Sequence, residues 1–128
     1  MVDPLYTEGQ ILPLRAGESE TITAGKLLEL KSDGDVGVAT SASVTVIGVA
    51  LTDVTTTASD ERYPIAVIAQ GVVTVTASTN ISIGALVASS NNGKSITHTP
   101  GAATYDEVVG VALTAGSANA THRVLLKI

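Results

Sequence analysis

The residues with chemically active side chains are few, and their spacing does not assemble a reactive site. His98 and His122 are the only histidines, and no cysteine or carboxylate lies near either at metal-ligand spacing. Asp60-Glu61 and Asp106-Glu107 are adjacent carboxylates, so on a strand the members of each pair would face opposite ways. Acid–base catalysis needs two carboxylates in different environments beside one substrate. We therefore interpret both pairs as solvated charge.

Motifs for metal, nucleophile and nucleotide chemistry do not occur in the sequence. The chain has no cysteine, which excludes disulfides and thiolate metal ligands. Ser32-Asp33-Gly34-Asp35 is similar to part of a calcium loop, but the further oxygen ligands and the closing glutamate are missing. There is no nucleophile elbow, phosphate-binding loop or dinucleotide fingerprint. The sequence predicts a protein that is not an enzyme and that uses no metal and no cofactor.

The composition favours a thin β-sheet core. The apolar residues are mostly Val, Ala, Leu and Ile, with no Phe or Trp and three Tyr. β-branched residues fit a pleated sheet and lose rotamer freedom in a helix. Charged residues make up 15% of the chain and the net charge is −5, which disfavours binding to nucleic acid phosphates. No apolar run has the length of a membrane span, so we expect neither nucleic acid nor a membrane as a partner.

A six-residue motif occurs twice and organises the rest of the chain. Ile47-Gly48-Val49-Ala50-Leu51-Thr52 recurs as Val109-Gly110-Val111-Ala112-Leu113-Thr114. Upstream of each copy, residues 22–28 match residues 81–87. The parts follow in the same order in both halves, which is stronger evidence for a duplication than one short match. We predict an internal repeat of two similar β-units, at residues 21–70 and 80–128.

Local patterns within these units predict strands and tight turns. Val73 and Val75 alternate with threonines, which is the period of a half-exposed strand. Asn92-Gly93 fits a type I′ hairpin turn, and Gln70-Gly71 fits a bend or bulge between two strands. The predicted fold class is all-β, with residues 21–128 forming a single compact β-barrel or β-sandwich. The patterns leave the choice between barrel and sandwich open.

Residues 1–20 lie outside the predicted units, and we interpret them as an extended N-terminal arm. Pro4 and Pro13 favour extended chain because the residue before a proline avoids the helical region. An apolar arm could lie on a neighbouring subunit. The alternative is that part of it forms an edge strand of the chain's own sheet.

The motifs of both units resemble the small capsid cement, or head decoration, proteins of tailed viruses of bacteria or archaea. This resemblance covers residues 20–128, and the residues that carry it belong to the core and the turns. It implies an all-β protein that binds the outer surface of the shell of major capsid protein, as a homotrimer, and stabilises that shell. The matching segments are 22–28, 47–52, 65–67 and 71–73 in the first unit, and 81–87 and 109–114 in the second.

The resemblance also implies a location on the outer capsid surface of the virion, after synthesis in the host cytoplasm. The predicted arm would then supply the capsid-contacting residues, which are Leu5, Tyr6, Ile11, Leu12 and Leu14. The alternative function is that of a fibre or adhesin-type β module that binds glycans or a host surface. Sugar-binding platforms usually need exposed aromatic rings, and only Tyr6, Tyr63 and Tyr105 are available.

Overall fold

The computed structural model describes residues 10–17, 20–56, 63–99 and 107–127, and in these ranges the protein is all-β, as the sequence predicts. No helix in these ranges is long and apolar enough to cross a membrane. The described strands are β1 (Gln10–Arg15), β2 (Thr21–Ile22), β3 (Leu27–Leu30), β4 (Val36–Val38), β5 (Val46–Ala50), β6 (Val54–Thr55), β7 (Pro64–Thr76), β8 (Leu86–Ser89), β9 (Ser95–Thr97), β10 (Val108–Ala112) and β11 (Thr121–Lys127).

Nine of these strands form one curled sheet, and β2 pairs with β6 in a small separate ribbon. The order in the large sheet is β4-β3-β5-β7-β11-β10-β8-β9, and β1 pairs with β7 off this path. The order reads outward from β7 and β11 in the same way on both sides. In each half the motif strand, β5 or β10, lies next to the central strands. It is followed outward by β3 or β8 and then by β4 or β9.

The pairing registers of the two halves correspond residue by residue. Leu27 lies opposite Val49 in the first half, and Leu86 lies opposite Val111 in the second. One extra residue interrupts the pairing at the same place in each motif strand, at Ile47 between its paired neighbours in β5 and in the same way in β10. The correspondence also reaches β1, which pairs with the first part of β7 as the second part of β7 pairs with β11. The unit boundaries at 21–70 and 80–128 stay a prediction.

The glycine of the repeated motif permits a close approach of two backbones. A Cβ atom on Gly48 would overlap the carbonyl oxygen of Ile68 in β7. A Cβ atom on Gly110 would overlap the carbonyl oxygen of Leu125 in β11 in the same way. Glycine inside a strand often marks such an approach. Each motif strand can therefore pack directly on the long strand beside it.

The turn prediction at Asn92-Gly93 is confirmed, and the predicted bend at Gln70-Gly71 lies inside one continuous strand. Asn92 has φ 64° and ψ 29°, and Gly93 has φ 70°, which are the left-handed conformations of a type I′ turn. Gly71 has φ 112° and lies inside a single strand, so β7 continues through the predicted bend instead of ending there. A left-handed residue inside a strand needs glycine, since L side chains are strained there.

The buried apolar residues form two clusters. Five of the seven residues in the smaller cluster have buried apolar counterparts in the larger one. The smaller cluster lies in the first half and includes Val36 and Ile65. Ser95 and His122 occupy the corresponding positions in the second half, where both are buried. The remaining members of the smaller cluster are Ala16, Ile22, Leu28, Ala50 and Val67, and their counterparts Ala77, Ile81, Val87, Ala112 and Val124 belong to the larger cluster.

Ser95 and His122 replace an apolar pair with a hydrogen bond. The Ser95 hydroxyl lies 2.7 Å from Nε2 of His122, and Nδ1 lies 3.3 Å from the carbonyl oxygen of Thr114. A carbonyl only accepts, so Nδ1 carries the proton and donates it, and Nε2 accepts from the serine hydroxyl. Both ring nitrogens of this buried histidine are therefore satisfied.

Substituting alanine at Gly48 or Gly110 is expected to lower the free energy of unfolding by about 1–3 kcal/mol, the usual range for overpacking. The overlapping atom is a backbone carbonyl in each case and cannot rotate away. Urea unfolding of the purified variants measures the change. The control is Gly17→Ala, whose Cβ would lie 3.5 Å from its nearest neighbour, the Val36 carbonyl oxygen. An unchanged midpoint for Gly110→Ala would contradict the close approach.

Ser95→Val alone is expected to cost about 1–3 kcal/mol of unfolding free energy, because it leaves Nε2 of His122 buried without a partner. Ser95→Val combined with His122→Ile installs the apolar pair of the first half and should recover most of that loss. A double-mutant cycle with the two single variants, followed by thermal unfolding, measures the coupling. Additive losses in the double variant would mean that the two side chains are not coupled.

Candidate functional site

His98 and Glu107 line one shallow depression, and the other described residues considered for chemistry are not among its lining residues. His122 is held in the core by Ser95, and no group of three His, Cys, Asp or Glu side chains that could hold a metal occurs among the described residues. Asp33 accepts the backbone N–H of Asp35 at 3.0 Å, which is a turn interaction. Asp60-Glu61 and Asp106 lie outside the described residues.

The predicted arm residues that the structure describes lie in β1. Ile11, Leu12 and Leu14 belong to this strand, which pairs with β7 of the same chain. Ile11 is 57% exposed and Leu14 is half-buried against the smaller core cluster. Leu5 and Tyr6 lie outside the described residues. The edge-strand alternative thus describes residues 10–15, and capsid contact by any of the five residues stays a prediction.

The register between β1 and β7 builds an apolar outer face. Ile11 lies opposite Ile68, and Pro13 lies opposite Ala66. Ile65 and Val67 alternate with these residues along β7 and are buried in the core. Because successive side chains of a strand point to opposite faces, the first part of β7 is apolar on both faces, with one face turned to solvent.

A shallow groove of about 530 Å³ lies on this face. None of its lining residues is ionisable, and Thr52 alone among them carries a hydroxyl group. Leu51 and Tyr63, which adjoin two lining residues in sequence, are both more than a third exposed. The lining residues are Ile11, Pro13, Thr52, Pro64, Ile65 and Ala66. We call these six residues the β1–β7 groove.

The corresponding face of the second half is partly polar, with the apolar pair Val72 and Leu125 where the first half has Ile11 and Ile68. Thr74 and Arg123 lie opposite each other there, at the positions that Pro13 and Ala66 occupy in the first half. The motif threonine of the second half, Thr114, accepts the Arg123 N–H at 2.9 Å. The same fold therefore accepts threonine and arginine at the positions of Pro13 and Ala66, so the fold does not require apolar residues at these two positions.

The groove residues Thr52, Pro64 and Ala66 were not among the predicted contact residues. One sequence signal could have indicated them. Residues 64–69 are apolar without interruption, whereas the first three of the corresponding residues of β11, at 121–123, are polar. A run that is apolar on both faces is typical of a strand that is covered on both faces. The pairing with β1, which completes the groove, depends on a contact between distant residues that the pattern does not reveal.

Among the described residues, Arg15 places a charge at the margin of this face. Nη2 of Arg15 lies 3.3 Å from Oδ1 of Asp35, so the cation at the end of β1 pairs with a buried carboxylate. Arg15 is mostly exposed and solvent screens its charge, so this ion pair contributes little to stability. The groove itself offers apolar contact and shape, which is chemistry for binding a protein surface.

A family model of phage cement proteins matches residues 54–128, which is more than half of the chain. The solved structure of the head fiber gp8.5 N base of bacteriophage phi29 is similar over 92% of this chain and 95% of that chain, with a TM-score of 0.71 and 15% sequence identity. At that identity the likeness shows a shared fold. No curated protein matches the sequence. The family match confirms the resemblance seen in the repeated motifs, and the chain belongs to the phage cement protein family.

Proposed function

We propose that the β1–β7 groove is the surface through which this cement protein binds the major capsid protein of its shell. The family gives the role, which is decoration of the exterior of a phage capsid. The observation that supports the groove is the contrast between the two halves. Where the groove has Pro13 and Ala66, the corresponding face of the second half carries Thr74 and Arg123.

Binding of this kind stabilises a shell by mass action. A protein that binds the intact mature lattice better than an expanded or broken one shifts the equilibrium toward the intact lattice. Many copies that each bridge adjacent capsid subunits add avidity, because the second contact of each copy forms at high effective concentration. No step of this mechanism needs catalysis, and we propose that the protein has no enzymatic activity.

The N-terminal residues extend the proposed contact. Residues 1–9 precede β1 and include Leu5 and Tyr6, which we propose to contact the shell beside Ile11. A homotrimer on the outer surface would present three such grooves to the shell. The glycan-binding alternative draws less support from the groove, since sugar recognition needs several polar groups around an aromatic face and Tyr63 is the described aromatic residue at its margin.

Co-sedimentation with undecorated mature capsids of the same phage tests the groove. Ile11→Ser is expected to weaken binding about tenfold, because the loss of one well-packed apolar contact at an interface costs more than 1 kcal/mol. The matched control is Val72→Ser, which makes a similar change at the corresponding position of the second half. Thermal unfolding of both variants establishes that they are folded. Equal binding by the two variants would place the shell contact elsewhere.

The dependence of binding on salt is a second test of the same surface. Contacts between apolar surfaces are screened little by salt, whereas contacts between exposed charges weaken as ionic strength rises. Raising the sodium chloride concentration in the sedimentation assay should therefore change the dissociation constant by less than about threefold. A steep loss of binding would indicate that acidic surface residues, and not the groove, carry the contact.

A further inference from the structure

The two halves of the protein are joined by a contact in which the second half supplies a turn and the first half supplies the surface that receives it. The turn between β8 and β9 in the second half docks onto the first half. Gly93 donates its N–H to the Ala39 carbonyl oxygen at 3.0 Å, and Asn92 accepts from Nζ of Lys26 at 3.2 Å. The Ser89 hydroxyl, at the end of β8, donates to the Thr40 carbonyl oxygen at 2.7 Å. Ser89 is completely buried by these contacts.

In the corresponding turn of the first half, Gly34 is exposed where Gly93 is buried. Gly34 occupies the position of Gly93 and has a similar left-handed φ of 88°. A Cβ atom on Gly93 would lie 2.9 Å from the Leu27 carbonyl oxygen, whereas nothing lies within 4 Å of a Cβ atom on Gly34. Leu30 occupies the position of Ser89 and is 44% exposed. A large apolar side chain is therefore in solvent where its counterpart is enclosed.

At the segment of the second half that corresponds to the docking site, Thr99 is exposed. Ala39 and Thr40, which receive the docked turn, correspond to His98 and Thr99 at the end of β9. His98 donates its N–H to the Leu86 carbonyl oxygen just as Ala39 donates to Leu27, so the backbone is arranged in the same way. A depression of about 320 Å³ is lined by the end of β9 and Glu107 on one side and by Ser41, Ala42 and Ser89 of the contact within the chain on the other.

We propose that the β3–β4 turn of one copy of the protein docks onto the end of β9 of a second copy, with Leu30 seated beside Thr99. The contact within the chain is the template for this proposal. In it the β8–β9 turn, which corresponds to the β3–β4 turn, contacts the end of β4, which corresponds to the end of β9. Such a contact joins unlike surfaces, and heterologous contacts form a ring when the rotation between copies closes. This contact would supply the interface of the proposed homotrimer. The proposal rests on the self-association in the proposed function and does not depend on binding to the shell.

Disulfide cross-linking tests the contact directly, because the natural chain contains no cysteine. The variant with Leu30→Cys and Thr99→Cys should form covalent oligomers under mild oxidation, seen on a non-reducing gel as a ladder that ends in one closed ring. The variant with Thr40→Cys and Ser89→Cys is the positive control, since these corresponding positions touch within one chain and should close an intramolecular bond. The variant with Leu30→Cys and Thr74→Cys is the negative control and should stay monomeric.

The oxidation is carried out both in concentrated solution and on saturated mature capsids. Oligomers that form only with the Leu30 and Thr99 pair, in either setting, would support the head-to-tail contact. Failure of this pair in both settings, with the positive control closing normally, would overturn it. The outcome is separate from that of the sedimentation assay, since a protein that binds shells through the β1–β7 groove can do so with or without this contact.

Discussion

The structure depends on the contact of two pairs of backbones that only glycine permits. Where Gly48 crosses β7 and Gly110 crosses β11, the carbonyl oxygen of the long strand occupies the space of a missing Cβ atom. The extra residue in each motif strand lies just before or beside this point, and bulges of this kind bend a strand and increase its twist. Close approach and bulge together curl the sheet, and a curled sheet can enclose a core made of valine, alanine, leucine and isoleucine without aromatic residues.

Much of this architecture could be predicted because local sequence patterns specify it. The repeated hexapeptide predicts two similar units, and the left-handed pair Asn92-Gly93 predicts its own turn. The features that escaped prediction depend on residues that are distant in sequence. The pairing of β1 with β7 converts Ile11 from a residue of a predicted arm into a residue of a sheet face, and nothing local to Ile11 specifies that partner. The continuity of β7 through Gly71 was equally hidden, because a glycine can interrupt a strand or bend it.

Because the two halves have the same arrangement of strands, each half serves as a control for the other. The exposed face of β1 and the first part of β7 is apolar, and the corresponding face in the second half is rich in threonine. In the core the difference has the same direction, since the polar residues Ser95 and His122 of the second half stand where the first half has Val36 and Ile65. Differences between corresponding sites of one fold separate what the fold requires from what a partner requires. On that criterion the fold does not require these apolar side chains, and we propose that those of the outer face serve a partner.

β7 belongs to both halves, and this continuity has a mechanical consequence. Its first part pairs with β1 and β5, and its second part pairs with β11, so one covalent backbone runs through the centre of the sheet. A force that pulls the halves in opposite directions along this strand acts on the hydrogen bonds of β1 and β11 in shear, and many of them must give way together. Peeling a hairpin from its end breaks such bonds one after another at lower force. A protein that holds a shell against internal pressure gains from an arrangement in which tension follows the strand.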